Sequence, residues 1–457
     1  MKKKLFRRAA LLLLGLILAA SSASFLTSCS GGDLEERLYK VLLEGLSSYP
    51  DSVKYASDGV TVRSGSTIDV SSFKLVADSE EDVELLNRVY FRVINEHPEI
   101  FYVREGFNRV RDESKKYIAG VRPWFFDFEN FLGVPNTPEG MEECARRLDE
   151  AVDAVLAKTE GVSEPVEKLL ILYDELTDGL IYNRFISSED TSHKESPARS
   201  AYSALVEKDA VCKGVSMALK LLIDRMGDPR ITCTVVYNLP YEKDGRQVQE
   251  ADQHVWNMVS IDGKWYHVDA NRAVNSMPST PGYQRHERFL ITDETMLGAF
   301  PGGWRVKADN GWKELPACTD DTYESGWAFN GSNFKLFRSG DGDYYYLRDG
   351  ALWRGTLSGE GERLAGIDCP KDIRTGVVWQ GGALWYVNAA LELVRYDLAD
   401  GEGRIAGKVP FSAAASGFDE YDEGYDGIGL RYDGAADEIV AVSRTTCEEI
   451  ARFGADI

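Results

Sequence analysis

The chain is short of the residues that would place it in several large classes. Its 15 prolines in 457 residues, with no glycine period, exclude a collagen-like or proline-rich extended protein. Its seven cysteines are too few for a disulfide scaffold of this length, and there is no Cys-x-x-Cys pair to begin a zinc site. A cysteine that matters here acts alone. Positive charge is also scarce, with 52 Lys plus Arg against 74 Asp plus Glu and a net −22. Five of those bases (Lys2, Lys3, Lys4, Arg7 and Arg8) lie in residues 1–28, which hold no acid, so the remainder carries 47 bases against 74 acids, or −27. Such a body repels nucleic acid and anionic lipid, so neither is expected as a partner. The apolar run Ala9 to Ala20 would span roughly 18 Å as a helix against a ~30 Å hydrocarbon core, which makes a permanent transmembrane helix the weaker reading. What is present in quantity is apolar surface, 44% of the residues, enough for about three domains with cores of their own.

Basic residues, then the apolar run, then small residues form an export signal over residues 1–28. Its end, Leu26-Thr27-Ser28-Cys29, resembles a bacterial lipobox. The resemblance implies cleavage before Cys29 and lipidation of that cysteine, giving the two-chain anchoring that stable membrane attachment requires. Residues 29–32 then serve as a lipidated cysteine and a flexible tether, and the mature protein faces the extracytoplasmic space, held on a cell or outer membrane by lipid.

Helical spacing of apolar residues predicts helices from Leu34 to about Tyr49 and from Glu80 through Val93, with strand-like alternation between and after them. Residues 33–130 read as a small α/β domain without visible chemistry, and His97, beside Pro98, as a cap or packing residue. Thr137 is placed to cap a helix opening at Pro138, and Ser163 to cap another running toward Gly179. The polar stretch from Ser187 to Ser196, containing His193, reads as an exposed rim. From Cys318 to residue 457 helical periodicity gives way to Gly, Asp and aromatics. There Arg354, Leu357, Arg363 and Gly366 return at an offset of 41 as Arg395, Leu398, Arg404 and Gly407. A weaker third unit spans Ile439 to Phe453. Tyr- and Trp-rich strands followed by turns point to a propeller-like or sandwich region whose aromatics are core first and glycan- or peptide-stacking surface second. The acidic stretch Ser416 to Asp426 reads as a solvated loop, and no cofactor or metal motif is apparent.

Chemistry concentrates between Ala201 and Asn271. Val211-Cys212-Lys213-Gly214 precedes an amphipathic helix reaching Met226, so Cys212 stands at a helix N-terminus. There the helix dipole and free N–H groups favour a thiolate, with Lys213 expected to add positive charge. Further on, His254 to Ile261 reads as a strand, Asp262-Gly263 as a two-residue turn, and Lys264 to Asp269 as the return strand. Pairing about that turn sets Ile261 opposite Lys264 and, counting back, Trp256 opposite Asp269. Asp269 is then the diagonal neighbour of His254, within reach of its imidazole. A carboxylate on one ring nitrogen fixes the tautomer and leaves the other to take a thiol proton. His267 opposes Met258, further from Asp269, and ranks second as the base.

Val-Cys-Lys-Gly before a helix, His-Val-Trp-Asn, and Trp-Tyr-His-Val-Asp, in this order, resemble the transglutaminase-like superfamily. The likeness reaches upstream through Leu172-Tyr173-Asp174-Glu175-Leu176 and Ile181-Tyr182-Asn183 and covers about residues 138–300. The stretch His97 to Val103 also resembles the segment preceding this core in bacterial surface proteins. The resemblance implies an α+β, papain-like core in which a cysteine helix packs on an antiparallel sheet. It implies Cys212 as nucleophile, His254 as base, Asp269 as orienting group and Tyr182 as a candidate oxyanion donor beside the Cys212 N–H. Two departures, Ser216 after the glycine and Ala270-Asn271 after Asp269, leave the catalytic groups in place and put substrate choice in doubt. The expected chemistry is acyl transfer through a cysteine thioester on a peptide or protein substrate, with hydrolysis favoured over glutamine–lysine crosslinking. The alternative from another class is a non-catalytic surface protein whose β-rich region binds glycan or peptide.

Overall fold

The structure, a computed structural model, describes residues 31–51, 53–55, 62–64, 67–183, 195–249, 253–273, 284–306, 315–325, 332, 334–340, 342–357, 361–368, 376–411, 427–443 and 448–455. The export signal, Cys29, His193, the acidic stretch 416–426, Cys369 and Cys447 lie outside the described residues. Among the described residues no helix is long and apolar enough to cross a membrane.

Helix α1 (Gly31–Leu46) packs along α2 (Glu80–Glu96). It buries Leu38, Leu42 and Leu46 against Leu86, Val89 and Val93. The glycines expected as tether therefore open a helix, because Glu35 and Glu36 in its early turns are held by Arg88 and Arg92 of α2. Ser79 caps α2 by accepting from the Asp82 N–H, and His97 closes its other end, its ring bonded to the Tyr39 hydroxyl and to Glu99. A three-stranded antiparallel sheet follows, with β1 (Ile68–Asp69) and β2 (Val103–Arg111) on either side of β3 (Ile118–Phe125).

Thr137 caps α3 (Pro138–Leu156) through the Gly140 N–H. The next helix, α4 (Pro165–Thr177), is preceded at its cap position by Glu164 rather than Ser163. Proline at the first helical position supplies a fixed φ there without needing a side-chain cap. The short strands β4 (Ile181–Tyr182) and β5 (Asp209–Ala210) pair in parallel and lead into α5 (Cys212–Met226), which ends on Gly227 at φ 65°. This helix begins at Cys212 itself, three residues before the position its apolar pattern marks. Behind it stands a five-stranded antiparallel sheet made of β6 (Ile231–Asn238), β7 (Val255–Ile261), β8 (Lys264–Val268), β9 (Phe289–Ile291) and β10 (Trp304–Arg305). Their order across the sheet is β9-β8-β7-β6-β10.

Buried residues of the N-terminal segment, of α3 to α5 and of this sheet form one continuous cluster that runs from Leu38 to Tyr346. The first hundred residues thus share a core with the helix that carries Cys212.

Beyond residue 334 come three successive antiparallel meanders of four, four and three strands. The first comprises β11 (Phe337–Arg338), β12 (Tyr344–Arg348), β13 (Ala351–Gly355) and β14 (Glu362–Gly366). The second comprises β15 (Val378–Gln380), β16 (Ala383–Val387), β17 (Glu392–Asp397) and β18 (Gly403–Lys408). The third comprises β19 (Ile428–Asp433), β20 (Glu438–Ser443) and β21 (Glu449–Gly454). The offset of 41 is structural: the β13–β14 ladder is bulged between Leu352 and Trp353, and the β17–β18 ladder between Leu393 and Val394. Tyr344 and Tyr346 are buried in the main core, whereas Leu384 and Trp385 are buried in separate clusters of the C-terminal sheets.

Candidate active site

Two local features set the two halves of the site. At the start of α5, a Cβ at Gly214 would meet Ala198 O at 2.4 Å and Ser200 O at 3.0 Å. Only glycine lets the 197–200 turn lie this close, and that turn carries Arg199 to the thiol. In the sheet, Asp262 and Gly263 take φ 50° and 84°, the two left-handed residues of the hairpin turn that matches strand twist. The ladder then runs Ile261 opposite Lys264, Met258 opposite His267 and Asn257 opposite Val268. One step further the register sets Asp269 beside Trp256, and His254, two residues on along the same strand direction, reaches it diagonally with Nε2 3.0 Å from Oδ2.

The helix is fastened to the strand that carries His254. The Ser216 hydroxyl lies 2.8 Å from Cys212 O and 3.0 Å from Val255 O, and Asn257 Nδ2 donates to Ser216 O at 3.0 Å. Ser216, one of the departures from the family pattern, is therefore a strap between the helix that opens at Cys212 and the strand that follows His254. The His254 ring and the Val255 backbone in turn act on the Cys212 sulfur and favour its ionised form. Since Nε2 is engaged by Asp269, the nitrogen facing sulfur is Nδ1.

Electrostatics of the trio follow from this geometry. Burial pushes the Cys212 thiol up, but the His254 hydrogen bond and charge, with Val255 and Arg199, outweigh it and leave the thiol below its ordinary value. Burial likewise pushes His254 down, and Asp269 and the cysteine sulfur overcome it, so the imidazole is raised. Asp269 is desolvated, which favours its protonated form, yet the charges of His254 and Arg288 hold it below the usual carboxylate range. All three shifts favour a thiolate–imidazolium pair above an ionised aspartate. The other described cysteines are free and behave oppositely: burial raises Cys144, Cys233 (to about 12) and Cys318.

Several expectations change. Lys213 is turned away from the sulfur: its buried ammonium donates to Asn95 Oδ1 at 2.6 Å, contacts the Tyr237 hydroxyl and pairs with Glu105 at 2.9 Å. Arg199 is the cation that acts on Cys212. His267 does not meet the cysteine. Its Nδ1 accepts from the Trp256 indole at 3.0 Å and its Nε2 lies 2.9 Å from Asp293. His267, Asp293 and Cys318 could in principle hold a metal ion. The Trp256 N–H, however, pins Nδ1 as an acceptor, so Nε2 carries the proton it gives to Asp293, and the donor set does not fit a metal. Tyr182 lies on β4 opposite Ala210, half-buried against the core.

Three residues that complete the site escape sequence reasoning. Arg288 donates to Asp269 Oδ2 at 2.9 Å, and Phe300 stacks on the His254 ring at 5.1 Å and 10° while Arg288 lies 5.5 Å from the Phe300 centroid. The segment before Arg288 is anchored to α4, where His286 bonds Asp174 at 2.7 Å and the Tyr173 hydroxyl donates to Arg285 O. The third is Trp124, which lines a cavity beside Cys212.

A cysteine at a helix start, apposed to a histidine and an aspartate on an antiparallel sheet, defines a thiol–imidazole–carboxylate site. The model of the transglutaminase-like superfamily matches residues 153–270, a span that takes in Cys212, His254 and Asp269. That span is a transglutaminase-like domain. Comparison with curated proteins finds no match. Among solved structures, a protein of unknown function from Bacteroides thetaiotaomicron is similar at 10% identity and a TM-score of 0.19, over 50% of this chain. The present chain covers 66% of that protein's length.

Proposed function

We propose that the protein is an exported, lipid-anchored enzyme that cleaves or transfers peptide or amide bonds through a thioester on Cys212. The observation that carries this reading is the His254–Asp269 pair, Nε2 to Oδ2 at 3.0 Å, on the sheet behind the helix that opens at Cys212; the direction of the Cys212 shift, opposite to that of the other described cysteines, supports it. Cys212 Sγ attacks the carbonyl carbon and forms the S–C bond. The C–N bond then breaks, and the amine leaves with a proton from His254. Water, deprotonated by His254, attacks the thioester and releases the acid and the thiol. Asp269 holds the imidazole throughout and stabilises its charge. As the first residue of α5, Cys212 has an N–H with no partner inside the helix, available to the oxyanion. Tyr182 is kept as the second donor by its place opposite Ala210.

A lysine amine in place of water would make the enzyme a crosslinking transglutaminase. Incubating the mature protein with a glutamine-containing protein and a fluorescent amine separates these outcomes: amine incorporation reports crosslinking, free acid reports hydrolysis. Loss of both on Cys212→Ala is expected, and full retention of either would overturn the reading. The lipid anchor rests on Leu26-Thr27-Ser28-Cys29 and is tested by metabolic labelling with a fatty-acid analogue in Cys29→Ala. The C-terminal meanders are proposed as propeller-like blades that bind glycan or peptide. Leu364 and Ile405, equivalent at the offset of 41, are 40% and 61% exposed on β14 and β18, which favours a repeated contact surface.

A further inference from the structure

The cavity beside Cys212 has a volume of about 400 Å³, within the range of binding sites for small molecules or peptide side chains. Its inner wall comes from the catalytic elements, with Cys212, Met217 and Val255. Its outer wall comes from the N-terminal segment, with Phe101, Trp124 and Phe126. A substrate that reaches sulfur through this cavity is therefore read by residues outside the matched domain.

The charged groups around the cavity are mostly neutralised within its wall. Lys213 pairs with Glu105, which also accepts from Tyr237, and Arg104 forms a buried ion pair with Glu195 at 3.3 Å. Arg199 directs its charge at the Cys212 sulfur. What remains for a ligand is mainly aromatic, aliphatic and thioether surface, together with the buried Trp124 indole N–H, which has no partner among the described residues. The Trp124 indole is held in place from two sides. The Arg104 guanidinium lies 5.5 Å from its centroid, and any Cβ at Gly106 would overlap its ring. Glycine at 106 is what allows the indole to lie flat on the β2 backbone.

We infer that this cavity receives the acyl side of the substrate and selects a large apolar residue there, an aromatic one above all. The inference rests on the acyl-transfer reading above and supplies its substrate class. A glutamine carboxamide oxygen can take the Trp124 indole N–H, but Arg104, Glu105 and the Ser200 hydroxyl are already engaged, so its own N–H groups are left without compensation. An apolar side chain gains from every methylene it buries.

The test uses the mature full-length protein with N-acetyl-aminoacyl thioesters of Phe, Leu, Gly, Gln and Glu. Intact mass detects the acyl adduct on Cys212, and kcat/KM is measured for each donor. Phe and Leu are expected to exceed Gly and Gln by at least about tenfold. Trp124→Ala should collapse that ratio, Trp124→Phe should largely retain it, and Gly106→Val, which displaces the indole without removing it, should lower it as well. Thermal melting and the rate of Cys212 alkylation show whether each variant keeps its fold and its nucleophile. Equal use of all donors, a preference for Gln or Glu, or a ratio unmoved by both Trp124→Ala and Gly106→Val would overturn the inference and leave acyl transfer standing. Absence of any adduct on Cys212 from all five donors would sink acyl transfer itself, and the inference with it.

Discussion

At the scale of single residues, the site turns on one sulfur whose protonation differs from that of its neighbours. Iodoacetamide should modify Cys212 ahead of Cys144, Cys233 and Cys318, with a rate that titrates below the range of a free thiol, because only this cysteine contacts an imidazolium. Peptide mapping after limited alkylation reads this directly, and even labelling of all four would contradict it. The same pair sets the pH dependence. Below the lowered Cys212 value the sulfur is protonated, and above the raised His254 value no proton is left for the leaving amine, so kcat/KM should be bell-shaped, with its acid limb below the range of a free thiol and its alkaline limb above that of a free imidazole. Arg288→Gln removes a cation from Asp269, so both limbs should move to higher pH, and freeing the carboxylate should lower kcat by up to roughly 100-fold. A profile whose limbs stay at the parent's pH values would show that Arg288 only packs. The apposition of His254 and Asp269 was legible because a two-residue turn leaves one register for the hairpin, and the place of Cys212 because it stands at the start of a helix. Arg288 and Phe300 were not, since they arrive from segments 19 and 46 positions away from Asp269 and His254 with no local pattern to mark them. Lys213 misled for a related reason: adjacency in sequence suggested adjacency to sulfur, whereas its long stem carries the charge to Asn95 and Glu105.

At the scale of elements, the site is an encounter between the first turn of α5 and the first residues of β7. Their relative position is set by backbone approach as much as by side chains. The Gly214 position has ordinary helical geometry but carbonyl oxygens of the 197–200 turn where a side chain would begin. Gly214→Ala should therefore cost about 1–3 kcal/mol of stability, seen as a lower Tm. It should also lower the alkylation rate of Cys212, because the turn that moves aside carries Arg199. A variant with unchanged Tm and unchanged Cys212 reactivity would contradict this account of the close approach. The helix itself was readable from its apolar spacing and its glycine stop, yet its start was read three residues late. The apolar periodicity marks the face that packs on the sheet, and Cys212 and Lys213 in the first turn do not continue that pattern. The C-terminal repeat was visible for the opposite reason: its bulges recur with the same offset as its residues.

At the scale of the whole molecule, the N-terminal segment stands out, because its sequence carries no catalytic pattern and its fold nevertheless builds one wall of the cavity. The join between the two parts is the buried cluster of Lys213, Asn95, Glu105 and Tyr237, placed one residue from the nucleophile. Its members come from α5, α2, β2 and β6, so helix, wall and sheet meet at one ammonium group. Removing a single partner from a buried pair leaves a charge uncompensated, which costs about 3–5 kcal/mol when both groups are fully buried. Here Lys213 is 8% exposed and Glu105 25%, so Lys213→Met should cost less, about 2–3 kcal/mol, as water reaches the carboxylate left behind. The double variant Lys213→Met with Glu105→Gln should recover part of that loss, because no buried charge then remains. If the cluster is what holds the wall against α5, donor selectivity should fall in the single variant more than turnover of the glycine donor does, since the proposed mechanism assigns the chemistry to Cys212, His254 and Asp269 while the wall belongs to the N-terminal segment. Urea denaturation gives the stability terms, and the ratio of kcat/KM for phenylalanine and glycine donors gives the second. A Lys213→Met protein as stable and as selective as the parent would mean that the two parts are joined by their shared apolar core alone.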